Sequence, residues 1–290
     1  MIIKNDSYKN FPEYTDEVAG MIEVTGDMTN LRVRMQDFVY HPDGLKIRLL
    51  VPNTILDETL KYPLIIHVQG SGWYQQDLND HIFDFVPIVK AGYCMAIVEY
   101  HYAPKHRFPS QIEDVKEAIR YLKNNYQNYP IDIDHVFLSG DSSGAHTALM
   151  VLFDYADDLL PLAGMLDFYG PVDFLTIDQG YSKHDLKNQN VYDLLGCSLE
   201  ENRQLYYDAS PINHLNEQMT LPPILIMHGS KDHVVPFLQS VELYQKLKEY
   251  NYQVTFCKVA KADHGRSIFY TKPTYQVIIN FLNQCQKESQ

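Results

Sequence analysis

The most constraining feature of the sequence is the segment Gly140-Asp141-Ser142-Ser143-Gly144, which fits the pattern G-x-S-x-G. An apolar run at 135–138 precedes it and a helix-like stretch begins at 145, so we predict a strand, a sharp turn and a helix. Such a turn holds its central serine in strained backbone angles with the hydroxyl exposed, and glycines on both sides let strand and helix approach closely. Ser142 is therefore the candidate nucleophile. The alternative is an ordinary glycine- and serine-rich turn.

Two later loops supply the partners that a serine nucleophile needs. A buried-looking strand at 223–227 leads into a loop that carries Asp232, and a strand at 252–259 leads into a loop that carries His264. In a serine hydrolase the histidine takes the serine proton, and the carboxylate holds the histidine in the correct tautomer. The predicted triad is Ser142, Asp232 and His264, in that chain order. Asp173 is a rival for the acid, because it follows the preceding strand.

A small-residue loop upstream is the candidate oxyanion hole, the set of N–H groups that binds the negative oxygen of the intermediate. The apolar strand that begins near Pro63 runs into Gly70, Ser71, Gly72 and Trp73. Exposed backbone amides on such a loop can point at an oxyanion together with the amide after the nucleophile. We predict an oxyanion hole from the amides near Ser71, Gly72 and Ser143. Gly70 and Trp73 are predicted to contact substrate.

These motifs together resemble the α/β-hydrolases, and most closely the hormone-sensitive-lipase-like esterases and the bacterial carbohydrate esterases of the BD-FAE type. The resemblance covers about residues 40–285. Family members read His-Gly-Gly-Gly-Trp at the oxyanion loop and Gly-Asp-Ser-Ala-Gly at the nucleophile. The matching segments in this chain are Gln69–Trp73, Gly140–Gly144, Tyr100–Pro109, Ser210–Ile212 and His228–Asp232. The chain departs from the family at Gln69 and at Lys105, where the family has histidine and glutamate.

The resemblance implies a cofactor-independent carboxylic ester hydrolase that acts through an acyl-enzyme on a small-molecule ester. It also implies short acyl groups, such as acetyl esters of carbohydrates. Three alternatives stay open: an amidase or aryl-formamidase on the same fold, a serine peptidase, and a non-catalytic binding protein with a hydrolase fold. No zinc-binding spacing and no nucleotide-binding glycine motif occurs, so we predict neither a metal nor a cofactor.

Strand and helix patterns alternate along most of the chain, which predicts an α/β fold with a mostly parallel sheet and helices on both faces. We expect one domain over residues 1–290, with an N-terminal arm at about 1–30. The polar, tyrosine-rich stretch at about 174–216 interrupts the alternation, so we interpret it as a cap insertion over the site. The alternative is an ordinary surface excursion.

The charge balance limits the classes of partner. The chain has 24 Lys and Arg against 37 Asp and Glu, a net charge of −13. Nucleic acids and anionic membranes bind basic surfaces, so we expect neither as a partner. The start of the sequence lacks the apolar run of a signal peptide, and the four cysteines are scattered. We therefore expect a cytoplasmic protein. Whether it forms a homo-oligomer stays open.

Overall fold

The structure is a computed structural model that describes residues 12, 15, 19–22, 32–53, 60–155, 160–177, 189–265 and 268–288. Most of the predicted arm at 1–30 and part of the predicted cap, residues 178–188, lie outside this description. The described residues form a sheet of eight strands in the order β1-β2-β4-β3-β5-β6-β7-β8. The strands are β1 (Arg32–Val39), β2 (Lys46–Asn53), β3 (Tyr62–Val68), β4 (Cys94–Val98), β5 (Ile131–Asp141), β6 (Leu162–Phe168), β7 (Ile224–Gly229) and β8 (Val254–Val259).

The sheet is mostly parallel, as the sequence predicted. Strand β2 pairs antiparallel with β1 and with β4, and all pairs from β4 through β3, β5, β6 and β7 to β8 are parallel. The carboxyl ends of parallel strands meet at one edge, which is where open α/β sheets bind their ligands. The loops that follow β3, β5, β7 and β8 carry the candidate site residues, so the topology brings them to the same edge.

Helices cover both faces of the sheet. They are α1 (Ile82–Lys90), α2 (Ser110–Asn125), α3 (Ser143–Tyr155), α4 (Gln189–Leu195), α5 (Arg203–Asp208), α6 (Phe237–Glu249) and α7 (Lys272–Glu288). Successive strand residues point to opposite faces, and β3 shows this directly. Leu64 and Ile66 pack in a core with α2, α3 and α6, while Ile65 packs in a second core with α1 and α7. This confirms the predicted α/β layering.

Helix α1 is an element that the sequence analysis did not predict. Its sequence is a nearly continuous apolar run, Ile82-Phe-Asp-Phe-Val-Pro-Ile-Val-Lys90, which contains a proline. Phe85 and Ile88 are buried, whereas Phe83 is 89% exposed. An exposed phenylalanine breaks the periodicity by which an amphipathic helix is recognised, so only packing against the sheet identifies the buried face.

The described parts of the predicted cap contain helices α4 and α5. Their apolar residues do not join either sheet core. They form a third buried cluster with Trp73 from the loop after β3, and its members include Phe174, Val191, Leu194, Leu195 and Tyr206. The segment therefore packs onto the predicted oxyanion loop. No helix in the described ranges is both long and apolar enough to cross a membrane.

A carboxyl group is buried in β6. Asp167 is fully buried, and its Oδ1 accepts a hydrogen bond from the amide of Gly170 at 3.0 Å. Its Oδ2 has no hydrogen-bond partner among the described residues. Burial raises the pKa of Asp167 to about 7, against a smaller opposing effect of the Gly170 amide. Charging this group in the folded protein is therefore costly at neutral pH.

We expect Asp167 to make folding stability depend on pH. Its pKa is higher in the folded than in the unfolded chain, so the folded state holds an extra proton between about pH 4 and pH 7. Its contribution to stability is consequently greatest at acid pH and declines as the pH rises through 7. Asp167→Asn cannot ionise, so the melting temperature of this variant minus that of the wild type should increase from pH 5 to pH 8. A difference that is constant over this range would contradict the expectation.

Candidate active site

The turn that carries Ser142 has the strained geometry that the sequence predicted. Ser142 lies between the end of β5 and the start of α3 with φ of 51°, in the left-handed region. A side chain at Gly140 would clash with the backbone of Gly144, and one at Gly144 would clash with the carbonyl oxygen of Val68. Only glycine permits this approach of strand and helix, so the pattern of residue types follows from sterics.

Three side chains from separate loops form one hydrogen-bonded chain. The Oγ of Ser142 lies 2.8 Å from Nε2 of His264, and Nδ1 of His264 lies 2.7 Å from Oδ2 of Asp232. These residues follow β5, β8 and β7, so the parallel sheet brings together positions that are up to 122 residues apart. If Nδ1 of His264 carries the ring proton, Nε2 is free to accept a proton from Ser142.

Asp232 is surrounded by hydrogen-bond donors. Its Oδ1 accepts from the amides of Val234 at 2.9 Å and Val235 at 2.8 Å, and its Oδ2 also contacts Nε2 of His228 at 3.1 Å. Burial disfavours the charged form, but the hydrogen bonds from His228 and His264 outweigh it and hold the pKa of Asp232 well below its ordinary value. The carboxylate is therefore ionised at neutral pH, as a partner of imidazolium must be.

The rival acid, Asp173, has a different environment. Its Oδ1 accepts a hydrogen bond from the amide of Leu175 at 2.8 Å, and its own amide donates to Gln239. The carboxylate that reaches His264 in the described structure is that of Asp232. Asp173 instead shapes the turn after β6.

The predicted oxyanion loop contains two amides that are already hydrogen-bonded. The amide of Gly70 donates to Oδ1 of Asp141 at 2.8 Å, and the amide of Ser71 donates to Oγ of Ser143 at 2.9 Å. The amides of Gly72 and Ser143 have no acceptor among the described residues. The structure thus differs from the prediction at Ser71, because the amide of Ser71 already donates to a side chain. The acceptor is the hydroxyl of Ser143, a position that is alanine in the family motif.

Gly70, which the sequence predicted to contact substrate, has a different environment in the structure. A Cβ atom added to it would clash with Asp141 and Ser142, so Gly70 packs against the nucleophile turn. The residues that line the cavity in front of Ser142 do not include Gly70.

A buried ion pair beneath the turn was not assigned a role from the sequence. Nε2 of His67 lies 3.2 Å from Oδ1 of Asp141, the same oxygen that accepts from Gly70, and Nδ1 of His67 lies 3.1 Å from Oγ of Ser139. Burial disfavours ionisation of Asp141, but the hydrogen bond and charge of His67 hold its pKa below the ordinary value. The pair joins β3 and β5 to the loop at Gly70.

The loops of the acid and the histidine are joined by a second contact. Nδ1 of His233 lies 2.5 Å from Oδ1 of Asp263, and this oxygen also accepts from the amide of His264 at 2.7 Å. Each loop therefore has an Asp-His pair, and each aspartate contacts the histidine of the other loop. This contact was not predicted from the sequence, although the repeated dipeptide at Asp232-His233 and Asp263-His264 is a signal for it.

Trp73 packs under the cap and also lines the cavity in front of Ser142. It is 4% exposed, and its Nε1 donates to Nδ1 of His146 at 3.2 Å. Burial lowers the pKa of His146 to about 4, so its ring is neutral, and its Nε2 donates to the carbonyl of Ala209 at 2.8 Å. The indole is thus held by His146 of α3, which is itself hydrogen-bonded to the cap at Ala209.

The cavity in front of Ser142 is small and largely apolar. Its volume is about 140 Å³, and its lining comprises Gly72, Trp73, Ser142, Ser143, Pro171, Ile177, Asn190, Val191, Val234 and Val235. An apolar cavity of about 150 Å³ holds one benzene molecule. The space beside Ser142 therefore accommodates a group of a few carbon atoms.

Similarity to known proteins agrees with this architecture. Residues 55–247 match the BD-FAE family model. Two proteins of Mycobacterium tuberculosis, named "Probable carboxylic ester hydrolase LipM" and "Esterase LipQ", are 24% and 26% identical to the chain over 228 and 222 residues. These matches include 72% and 70% of this chain but 51% and 50% of the relatives. The chain thus spans about half the length of the curated relatives it matches.

Two solved structures have the same fold. A truncated carbohydrate esterase from gut microbiota superposes with a TM-score of 0.76 at 24% identity, covering 90% of this chain and 99% of that one. Esterase B from Lactobacillus rhamnosis superposes with a TM-score of 0.75 at 17% identity, covering 90% of this chain and 86% of that one. With the family match over residues 55–247, these findings establish that the chain belongs to the BD-FAE family of α/β-hydrolases.

Proposed function

We propose that the chain is a serine carboxylesterase that hydrolyses short-chain acyl esters through Ser142, His264 and Asp232. The observation that carries this proposal is the hydrogen-bonded chain from Ser142 Oγ through His264 to an ionised, buried Asp232. The names of three relatives, "Probable carboxylic ester hydrolase LipM", "Esterase LipQ" and "Esterase LipC", support the same activity.

The mechanism begins with attack of Ser142 on the ester carbonyl. Its Oγ bonds to the carbonyl carbon while its proton passes to Nε2 of His264, and Asp232 stabilises the resulting imidazolium through Nδ1. The oxygen of the tetrahedral intermediate accepts hydrogen bonds from the amides of Gly72 and Ser143, which have no acceptor among the described residues. Donors aimed at this developing charge in a site that excludes water lower the barrier.

Collapse of the first intermediate reverses the role of His264, which now acts as an acid. His264 gives its proton to the departing alkoxide, so the alcohol leaves and the acyl group stays on Ser142 Oγ. A water molecule then loses a proton to His264 and attacks the acyl-enzyme, and collapse of the second intermediate returns the proton to Ser142 and releases the acid. The pair His67–Asp141 holds the loop through Gly70 during both steps.

The proposed substrates are acetyl esters, including acetylated carbohydrates. The cavity of about 140 Å³ supports a small acyl group, and the name of the carbohydrate esterase from gut microbiota supports the alcohol part. We place the protein in the cytoplasm, and its four free cysteines support a reducing compartment.

We expect kcat/KM to fall from acetyl or propionyl through butyryl to octanoyl p-nitrophenyl esters. An acyl chain that exceeds the cavity must overpack it, which costs about 1–3 kcal/mol. Trp73→Ala should enlarge the cavity and raise the octanoyl-to-acetyl ratio of kcat/KM at least about tenfold, since two accommodated methylenes are worth about 1.6 kcal/mol. Phe83→Ala, on the exposed face of α1, is the control and should leave the ratio unchanged.

Because Trp73 is buried, its variant is first checked for folding by circular dichroism. Val191→Ala enlarges the same cavity by a smaller volume and should shift the ratio in the same direction. A wild type that prefers octanoyl to acetyl esters would contradict the small-pocket proposal and remove most support for acetylated sugars as substrates.

An amidase or aryl-formamidase would use the same residues. Turnover of an ester and its matched anilide separates these activities, because the proposal requires the ester to be the faster substrate. A fluorophosphonate probe separates an enzyme from a binding protein, because only an activated serine is labelled.

A further inference from the structure

A cluster of histidines and carboxylates lies outside the proposed active site. His41 and Asp43 are in the turn between β1 and β2, His101 follows β4, and Asp114 and Glu117 are on α2. We call these five residues the histidine–carboxylate cluster. One potential ligand atom from each of His41, His101 and Asp114 lies within 4.8 Å of the other two.

Each histidine of the cluster contacts two carboxylates. Nδ1 of His101 lies 3.1 Å from both oxygens of Asp114, and its Nε2 lies 3.3 Å from Oδ2 of Asp43. Nδ1 of His41 lies 3.9 Å from the same Asp43 oxygen, and its Nε2 lies 3.7 Å from Oε2 of Glu117. A neutral imidazole has one N–H, so His101 can donate to only one of the two carboxylates that its ring nitrogens face. The other contact is repulsive unless a proton or a metal cation lies between the two groups.

The cluster has more negative than positive charge. The ion pairs that the described structure gives to Asp43, Asp114 and Glu117 are with His41 and His101, and not with a lysine or arginine. His101 and Asp114 are shielded from solvent, with side chains 15% and 7% exposed, so water screens their interaction little. A divalent cation would neutralise this charge.

We propose that the histidine–carboxylate cluster binds one divalent transition-metal ion such as Zn²⁺. The ligands are Nδ1 of His101, Nε2 of His41 and the carboxylate of Asp114, which belong to one compact group. The half-exposed Glu117, whose carboxylate lies 3.7 Å from Nε2 of His41, would move to supply the fourth ligand. Zinc accepts imidazole nitrogen and carboxylate oxygen at roughly 2.0–2.2 Å in a tetrahedron, which places ligand atoms roughly 3.3 Å apart. The His101–Asp114 and His41–Glu117 separations of 3.1 and 3.7 Å are close to this spacing.

Asp43 would accept hydrogen bonds from the ring nitrogens of His41 and His101 that do not bind the metal. With the metal on Nδ1 of His101 and Nε2 of His41, the remaining nitrogens carry the protons and both face Oδ2 of Asp43. Metal-bound histidines commonly donate their other N–H to a carboxylate in this way. In the structure as it stands, Nδ1 of His41 instead accepts a hydrogen bond from the amide of Asp43 at 3.1 Å. Metal binding therefore moves the His41 proton from Nε2 to Nδ1 and releases this amide to solvent.

The metal would join three parts of the fold that are separate in sequence. It would tie the β1–β2 turn and the start of α2 to His101, next to Tyr100. The hydroxyl of Tyr100 donates to the carbonyl of Gln69 at 2.9 Å, at the start of the loop that continues to Gly72. Because the ion binds the folded state, it should raise the melting temperature. This inference does not rest on the proposed esterase activity.

The test is metal binding by the untagged chain after dialysis against a chelator. Titration with Co²⁺ should give the visible absorption of a tetrahedral complex at one equivalent, and Zn²⁺ should displace it. The double variant His41→Asn, His101→Asn should bind at least a hundredfold more weakly, and Glu117→Gln about tenfold more weakly. His135→Asn is the matched control, because His135 contacts the single carboxylate of Asp132 at 2.7 Å. It should bind as the wild type does.

The variants distinguish a loss of metal binding from a loss of folding. Glu117 is half-exposed on α2, so its variant should fold even if the double variant does not, and circular dichroism checks each. Zn²⁺ should raise the melting temperature of the wild type and of His135→Asn, but not of the double variant. Failure of the wild type to bind one equivalent, or equal binding by the wild type and the folded double variant, would overturn the proposal.

Discussion

Replacing Ser142 with alanine is expected to lower kcat by about 10⁴–10⁶-fold without unfolding the protein. The Oγ atom that lies 2.8 Å from His264 Nε2 is lost, so no acyl-enzyme can form at this position. Alanine keeps the Cβ atom, and the turn at φ of 51° is held by Gly140 and Gly144 on either side. The measurement is kcat on p-nitrophenyl acetate, with circular dichroism to verify folding.

The matched control is Ser198→Ala, in the segment between α4 and α5, which should retain wild-type turnover. Labelling by a fluorophosphonate should disappear in Ser142→Ala and persist in the control. If Ser142→Ala keeps more than about a tenth of wild-type activity, a different nucleophile performs the reaction and the mechanism is wrong.

Replacing Asp232 with asparagine should lower kcat by roughly 10⁴-fold. The carboxylate oxygen that accepts from His264 at 2.7 Å and from His228 at 3.1 Å becomes an amide group. If the amide nitrogen faces His264, it must donate to Nδ1, which places the ring proton on Nε2. His264 then cannot accept a proton from Ser142. Asparagine and aspartate side chains are nearly equal in size, so the substitution creates no cavity. The loss of kcat would therefore come from the changed tautomer of His264.

Asp173→Asn is the control for this prediction, because Asp173 was the rival acid in the sequence. Its carboxylate accepts from Leu175 and does not contact His264 in the described structure, so the substitution should change kcat far less than Asp232→Asn. A greater loss at Asp173 than at Asp232 would reverse the assignment of the acid.

The sequence by itself determined the features that depend on short-range sterics and on chain order. The glycines around Ser142 are required because a side chain at either one would collide with neighbouring backbone. The alternation of strands and helices predicted the mostly parallel sheet. The order Ser142, Asp232, His264 also followed from the sequence, because each residue comes directly after a recognisable strand.

Only the tertiary structure decided which hydrogen-bonding groups are already satisfied. Ser71 and Gly72 are equivalent in the sequence pattern, yet the amide of Ser71 is bonded to Ser143 Oγ and that of Gly72 has no acceptor among the described residues. His233 contacts Asp263 across two loops, and His41 meets His101 some 60 residues along the chain. Periodicity encodes which face of an element is buried. It does not encode the distances between side chains on different elements, which are set by how the strands pair and how the helices pack on them.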